Sequence, residues 1–277
     1  MKKLKWDWKT SDGLKIHSQG WLPDKKMKGV VCLAHGHGEH SGRYANVGEA
    51  LSKAGYALLG MDLRGHGISE GPRGHTPSLD ILLDDLDLFL KTARQRFPGV
   101  PCFFYGHSMG GTLILNFLLR RKEKVAGAVV TGAWIRLSFK PSSIKVLLGK
   151  VMNNLVPGFS QPSGLEIAAL SRDPKVVRAY KNDPLVHDTI SARLFMAITE
   201  SGEWALEHAA DFRLPLLLMQ GSADRIVSVP AIEEFAKRAG KKVTLKTWDG
   251  WYHEIHNEPE QAKVFKAMTE WLDRHIK

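Results

Sequence analysis

Cysteine is nearly absent: the chain of 277 residues holds two, Cys32 and Cys102. That excludes a disulfide framework or a cysteine-rich zinc module and suits a reducing compartment. Each lies in an apolar run that reads as a buried strand, so free buried thiols are expected. Long apolar runs are missing as well. The longest are strand-sized, well short of the roughly 20 residues that span a bilayer, and no transmembrane segment is expected. The opening Met1-Lys-Lys-Leu-Lys-Trp-Asp-Trp8 is basic but has no apolar stretch behind it, so a secretory signal is not expected and the mature chain should begin at Met1. Internal repeats and low-complexity segments are also lacking.

Acidic residues are the scarcer charge, 29 against 39 Lys and Arg, for a net charge of +10. The basic residues are spread through the chain without a tract or a nucleic-acid motif, so no nucleic-acid partner is expected and a solvated basic exterior explains them. The same charge would favour loose attraction to lipid headgroups. The expected location is cytoplasmic, with room for a peripheral place at a membrane. The length suits one sizeable α/β core.

What is present begins with two alternating runs around Ser11-Asp-Gly13, a hairpin signal. Residues 29–35 form a continuous apolar run ending in a glycine-rich loop. A helix is expected over 44–53, closed by Gly55, and a strand over 56–62. Strand, helix, strand implies a parallel sheet. Residues 78–96 space Leu82, Leu86, Phe89 and Leu90 as one helical face, with Asp80, Asp84, Asp85 and Asp87 on the others; these carboxylates read as a solvated face. A core strand follows over 124–132. Alternation then breaks down from 133 to about 214, where Pro141, Pro157, Pro162, Pro174 and Pro184 punctuate short apolar helical segments. It resumes with strands over 214–221 and 242–248 and helices over 230–239 and 260–276. The predicted organisation is a core in two parts, 1–132 and 215–277, with a mainly helical cap inserted at 133–214. In the cap, Leu147, Leu148, Val151, Met152, Leu155 and Val156 form one apolar stripe and Leu194, Phe195, Ile198 and Trp204 another. Such stripes are internal packing, an apolar tunnel, or a lipid-facing surface.

Chemistry centres on Cys102-Phe-Phe-Tyr-Gly-His-Ser-Met-Gly-Gly111, an apolar run that stops at Gly106 and resumes as a helix. Gly-x-Ser-x-Gly between strand and helix is a nucleophile elbow, with Ser108 at the corner and the Met109 N–H aimed at any oxyanion formed there. Asp224 follows the end of the strand over 214–221 and His253 the end of the next, over 242–248, giving the order Ser, Asp, His. Ser108 is the expected nucleophile, His253 the base and then acid, and Asp224 the carboxylate that orients the imidazole. Asp249 competes for the acid and His256 for the base; His256 is expected at the mouth of the site. In His35-Gly-His-Gly-Glu-His40 the His37 N–H is the expected second oxyanion donor. The same loop also fits a zinc-ligand pattern of His35, His37 and His40, which would leave the elbow unexplained. The serine reading requires no metal and no cofactor.

Several motifs together carry a resemblance: His35-Gly-His-Gly-Glu-His-Ser-Gly-Arg-Tyr44, Asp62-Leu-Arg-Gly-His-Gly-Ile-Ser69, Gly106-His-Ser-Met-Gly-Gly111, Asn182-Asp-Pro-Leu185, Gln220-Gly-Ser-Ala-Asp-Arg225 and Tyr252-His253. The chain resembles the monoacylglycerol lipase and lysophospholipase branch of the α/β-hydrolases over nearly its whole length, most weakly across the cap. The resemblance implies an α/β-hydrolase fold and release of a fatty acid from a monoacylglycerol, with a lysophospholipid or a simple ester as alternatives. It implies the catalytic roles on Ser108, Asp224 and His253, and headgroup contacts from Glu39, Arg43 and His256. It departs at His37, where the family often has a small residue. A non-catalytic lipid-binding protein is the remaining alternative, and the intact triad argues against it.

Overall fold

The structure, a computed structural model, describes residues 1–121, 123–139 and 143–276, and the side chains of 143–148 lie outside that description. The chain opens with an antiparallel hairpin, β1 (Lys2–Lys9) and β2 (Lys15–Leu22), paired from Lys2↔Leu22 to Lys9↔Lys15. Then β3 (Gly29–Ala34), α1 (Ala45–Ala54), β4 (Tyr56–Met61), α2 (Leu79–Arg96), β5 (Cys102–His107), α3 (Met109–Arg120) and β6 (Gly127–Thr131) alternate. After the inserted segment come β9 (Leu216–Gly221), α7 (Val229–Ala239), β10 (Val243–Trp248) and α8 (Ala262–His275). The sheet has eight strands in the order β1-β2-β4-β3-β5-β6-β9-β10, and from β4 to β10 every pair is parallel.

Period-two alternation sorts the buried strands onto two faces. Val30, Cys32, Phe104, Val130 and Leu218 meet one apolar layer with residues of α2, α3 and α7. Val31, Leu33, Phe103, Tyr105 and Met219 meet the other with α1 and α8. Both cysteines are buried and free, as expected of thiols inside strands. Helix ends follow their local chemistry: Ser78 caps α2 by accepting from the Ile81 N–H, and Gly55 closes α1 in the left-handed region at φ 94. No helix among the described residues is long and apolar enough to cross a membrane.

Between β6 and β9 the chain leaves the large sheet. It forms α4 (Ser143–Leu155), β7 (Ser160–Pro162), α5 (Pro174–Asn182), β8 (Thr189–Ser191) and α6 (Ala192–Glu207). The small antiparallel β7–β8 ladder is absent from the sequence reading, because three residues per strand give no alternation to detect. On α6, Leu194 and Ile198 pack into the core, so this part of the second stripe is internal packing. On α4, Val151 and Leu155 are exposed while Leu147 and Leu148 lie outside the described side chains.

Candidate active site

Parallel strands bring their C-terminal ends to one edge, and that edge collects the loops after β3, β5, β9 and β10. At the end of β5 the chain turns through Ser108 at φ 52 and ψ −119, the one non-glycine residue with positive φ among those described. A side chain pays about 1–3 kcal/mol for such a conformation and keeps it only where its surroundings dictate it. Here they do: the Ser108 N–H donates to Thr131 O at 3.0 Å, and Ser108 O accepts from Thr112 N at 3.1 Å and Trp134 N at 3.2 Å. Gly110 must lack a side chain, since a Cβ there would stand 2.1 Å from Ala34 O. The elbow is thereby pressed onto the end of β3. The helix begins at Met109, one residue past the serine, so its N-terminal partial charge falls on the serine's side.

His253 Nδ1 and Asp224 Oδ2 are 2.7 Å apart, both side chains buried. Asp224 is surrounded by donors: Gln220 Nε2 at 2.7 Å on the same oxygen, and the N–H groups of Ile226 and Val227 at 2.8 and 3.0 Å on Oδ1. Burial alone would raise the carboxyl's pKa, but the imidazole and these bonds outweigh it and hold it below the usual range. With the carboxylate an acceptor only, Nδ1 carries the proton and Nε2 is left as the basic nitrogen. For His253 burial works downward, yet the charges of Asp224, Glu254 and Glu39 prevail and raise its pKa above the ordinary histidine value. Asp249 takes no part: it is exposed and accepts from Ser222 Oγ at 3.1 Å.

The loop after β3 passes directly over the serine. A Cβ placed on Gly36 would come within 3.3 Å of Ser108 Cβ. The N–H groups of His37 and Met109 have no protein acceptor among the described residues, so both remain available to an external one. Glu39 fixes the loop from beneath: its Oε1 accepts from Gly36 N and Tyr44 Oη, each at 2.7 Å. Arg43 ties Glu39 to Glu254, with Nη1 at 2.5 Å from Glu39 Oε2 and a two-pronged pair to Glu254 at 2.7 and 2.8 Å. Glu254, next to the base, escaped the sequence reading; its adjacency to His253 was the available signal. Burial favours the neutral acid there, but Arg43 overrides it and keeps the group well below the usual carboxylate range.

The remaining histidines are structural in their contacts. His35 Nε2 accepts from Leu63 N at 2.9 Å and its Nδ1 faces Gly36 O at 2.7 Å; His40 is bound at both ring nitrogens, to Gly42 N and Asp183. Neither has a lone pair to give a metal, so the zinc pattern of His35, His37 and His40 has no ligand set in this arrangement. His107 bonds Thr131 Oγ1 at 3.0 Å and packs against His253; burial, reinforced by His253, pushes its pKa down to about 3. His256 was expected at the mouth of the site. It is instead fully buried, stacked on Tyr44 at 4.8 Å behind His107, with a pKa pushed by burial to about 3.

Ser108 and His253 open on a cavity of about 660 Å³. Its lining joins polar groups of Gly36, His37, Glu39, Tyr180 and Glu254 with the apolar side chains of Trp134, Phe139, Met152, Phe159, Ile190 and Phe195, and also includes Glu166 and Arg225. Of the three residues expected at a headgroup, Glu39 reaches the cavity, whereas Arg43 and His256 are not in its lining.

Residues 25–260 match the model of the family described as serine aminopeptidase, S33. A monoacylglycerol lipase of Mycolicibacterium smegmatis is 36% identical, the match covering 95% of both chains. An uncharacterized abhydrolase domain-containing protein of Dictyostelium discoideum is 37% identical over 96% of this chain, which spans 28% of that protein's length. The crystal structure of Paleococcus ferrophilus monoacylglycerol lipase superposes with a TM-score of 0.85 at 34% identity, covering 99% of this chain and 100% of that one. The chain therefore belongs to the serine aminopeptidase, S33 family and has the α/β-hydrolase fold, on the branch that holds the monoacylglycerol lipases.

Proposed function

We propose that this enzyme is a serine carboxylester hydrolase whose substrate is a long-chain monoacylglycerol. Ser108 Oγ attacks the ester carbonyl while His253 Nε2 takes its proton, and Asp224 stabilises the imidazolium. The N–H groups of His37 and Met109 receive the oxyanion. As the tetrahedral adduct collapses, the C–O bond to glycerol breaks and His253 returns the proton to the leaving alkoxide. Water, deprotonated in turn by His253, cleaves the acyl-serine and frees the fatty acid. The roles of Glu39 and Glu254 follow from their place: each carboxylate has about four acceptor sites, not all engaged by protein donors, which leaves room for glycerol hydroxyls.

The observation that carries the reading is that one cavity is lined by the strained serine, its paired base, two carboxylates and a set of apolar side chains. Two buried carboxylates beside a single guanidinium favour a neutral polyol over a phosphate-bearing headgroup. The inserted segment, 133–214, would serve as the cap that forms the acyl wall. Its exposed Phe139, Val151, Leu155, Val156 and Phe159 would face a lipid surface, helped by the basic exterior. The test is initial rates on monoolein, lysophosphatidylcholine and short-chain nitrophenyl esters, with Ser108→Ala as control. Monoolein should be turned over fastest, and negligible monoolein hydrolysis would reject the headgroup assignment.

A further inference from the structure

Three stretches of the sequence have no part in the chemistry above: His40, the loop 62–69 and Asn182-Asp-Pro-Leu185. They meet at the loop that carries His37. His40 Nδ1 accepts from Gly42 N at 3.2 Å, so its Nε2 carries the proton and donates to Asp183 Oδ2 at 2.9 Å. The other Asp183 oxygen accepts from Leu185 N at 2.9 Å, which fixes the carboxylate at both ends. Four residues on, His187 N donates to Gly38 O at 2.9 Å. The two backbones lie so close there that a Cβ on Gly38, at φ 76, would stand 2.4 Å from His187 O. The His187 ring bonds back to Gly65 O at 3.1 Å and packs against His66 and His37, ring centres 4.8 and 5.7 Å away. From the core side Asp62 holds Ser41 through its N–H at 2.9 Å and its hydroxyl at 2.6 Å.

We infer that Asp183 and His187 are positioning residues for the oxyanion donor at His37: the segment inserted between β6 and β9 grips that loop from outside while the core grips it from beneath. The inserted segment thus acts on catalysis as well as on substrate choice. The bulky His37 side chain has a use in this arrangement, since it fills the space between the inserted segment and the loop after β4. The inference rests on His37 N–H acting as an oxyanion donor in the serine mechanism proposed above.

The experiment compares Asp183→Ala, His187→Ala, His40→Ala and the His40→Ala/Asp183→Ala double variant on a soluble short-chain nitrophenyl ester. Rates are normalised to active sites titrated with a fluorophosphonate. Misplacing an oxyanion donor without removing it should lower kcat by about 10- to 100-fold, with KM changed by no more than about threefold. Affinity for an alkylboronic acid, which mimics the tetrahedral adduct, should fall in parallel with kcat. The acid limb of the pH profile should stay in place because His253 is untouched. The double variant should be no worse than the poorer single one, as two residues acting through one contact require. Wild-type kcat per titrated site, a rise in KM alone, unchanged boronate affinity, or a displaced acid limb would each overturn the inference. Turnover retained in Ser108→Ala would instead overturn the serine mechanism, so the two failures are distinct.

Discussion

On the sheet side of the cavity, Ser108, Asp224 and His253 stand on loops leaving the parallel strands β5, β9 and β10, and directional hydrogen bonds hold the elbow and the acid. Asp224 accepts from four donors, and the Ser108 backbone is bonded on both sides. On the inserted side, Met152, Phe159 and Phe195 present apolar surface to the same space, and their neighbours Val151 and Leu155 face solvent. The first wall is held by directional hydrogen bonds and charges. The second is held by non-directional contacts, which tolerate substitution and rearrangement. The candidate chemistry is specified by directional bonds, and the proposed selection of the acyl chain rests on shape and area.

The sharpest way to break that contrast is at the acid. Asp224→Asn keeps the size of the side chain but favours the wrong imidazole tautomer, so kcat on a short-chain nitrophenyl ester should fall by about 10⁴-fold. A loss under tenfold would move the orienting carboxylate elsewhere. Next is Arg43, which holds two carboxylates buried with it. Arg43→Met leaves both unpaired and should destabilise the fold by about 3–5 kcal/mol, read from urea unfolding at neutral pH. An unchanged midpoint would show that water or protonation compensates.

Glu254 separates charge from structure on the same wall. His253 must be neutral to accept the serine proton, and its pKa is raised, so kcat/KM should fall as pH drops through a value above the ordinary histidine one. Glu254→Gln removes a charge that favours the imidazolium, and the acid limb should move to lower pH; a limb that stays or rises would contradict this. On the apolar wall the effects should be smaller and selective. Phe195→Ala should raise KM for a long-chain ester by about 3- to 30-fold and leave a short-chain ester nearly unaffected, measured as paired kinetics. Leu155→Ser, at a side chain 74% exposed, should weaken vesicle flotation a few-fold and leave soluble-ester rates unchanged.

What could be read from the chain divides along the same line. That Ser108, Asp224 and His253 would come to one edge of the sheet was legible because each follows a strand-like run, and parallel topology does the rest. The tight turn at the elbow and the glycine-rich loop after β3 were legible from their glycines. The position of Arg43 and His256 outside the cavity lining was not. Arg43 and His256 are polar and close in sequence to the site, but burial depends on tertiary packing; Glu254 and Tyr44 draw them inward, one by charge and one by stacking. The inserted segment was legible as an interruption by its prolines, while its β7–β8 ladder and its bonds to Gly38 and His40 join residues far apart in sequence and leave no local pattern.

The central claim is that Ser108 is the nucleophile of an esterase acting through this cavity. Monoolein hydrolysis by wild type and Ser108→Ala, run beside mass-spectrometric mapping of fluorophosphonate labelling, tests it most directly. The account predicts labelling on Ser108 alone and a loss of turnover of about 10⁴-fold or more in the variant. Labelling at another residue, or substantial turnover without Ser108, would contradict it.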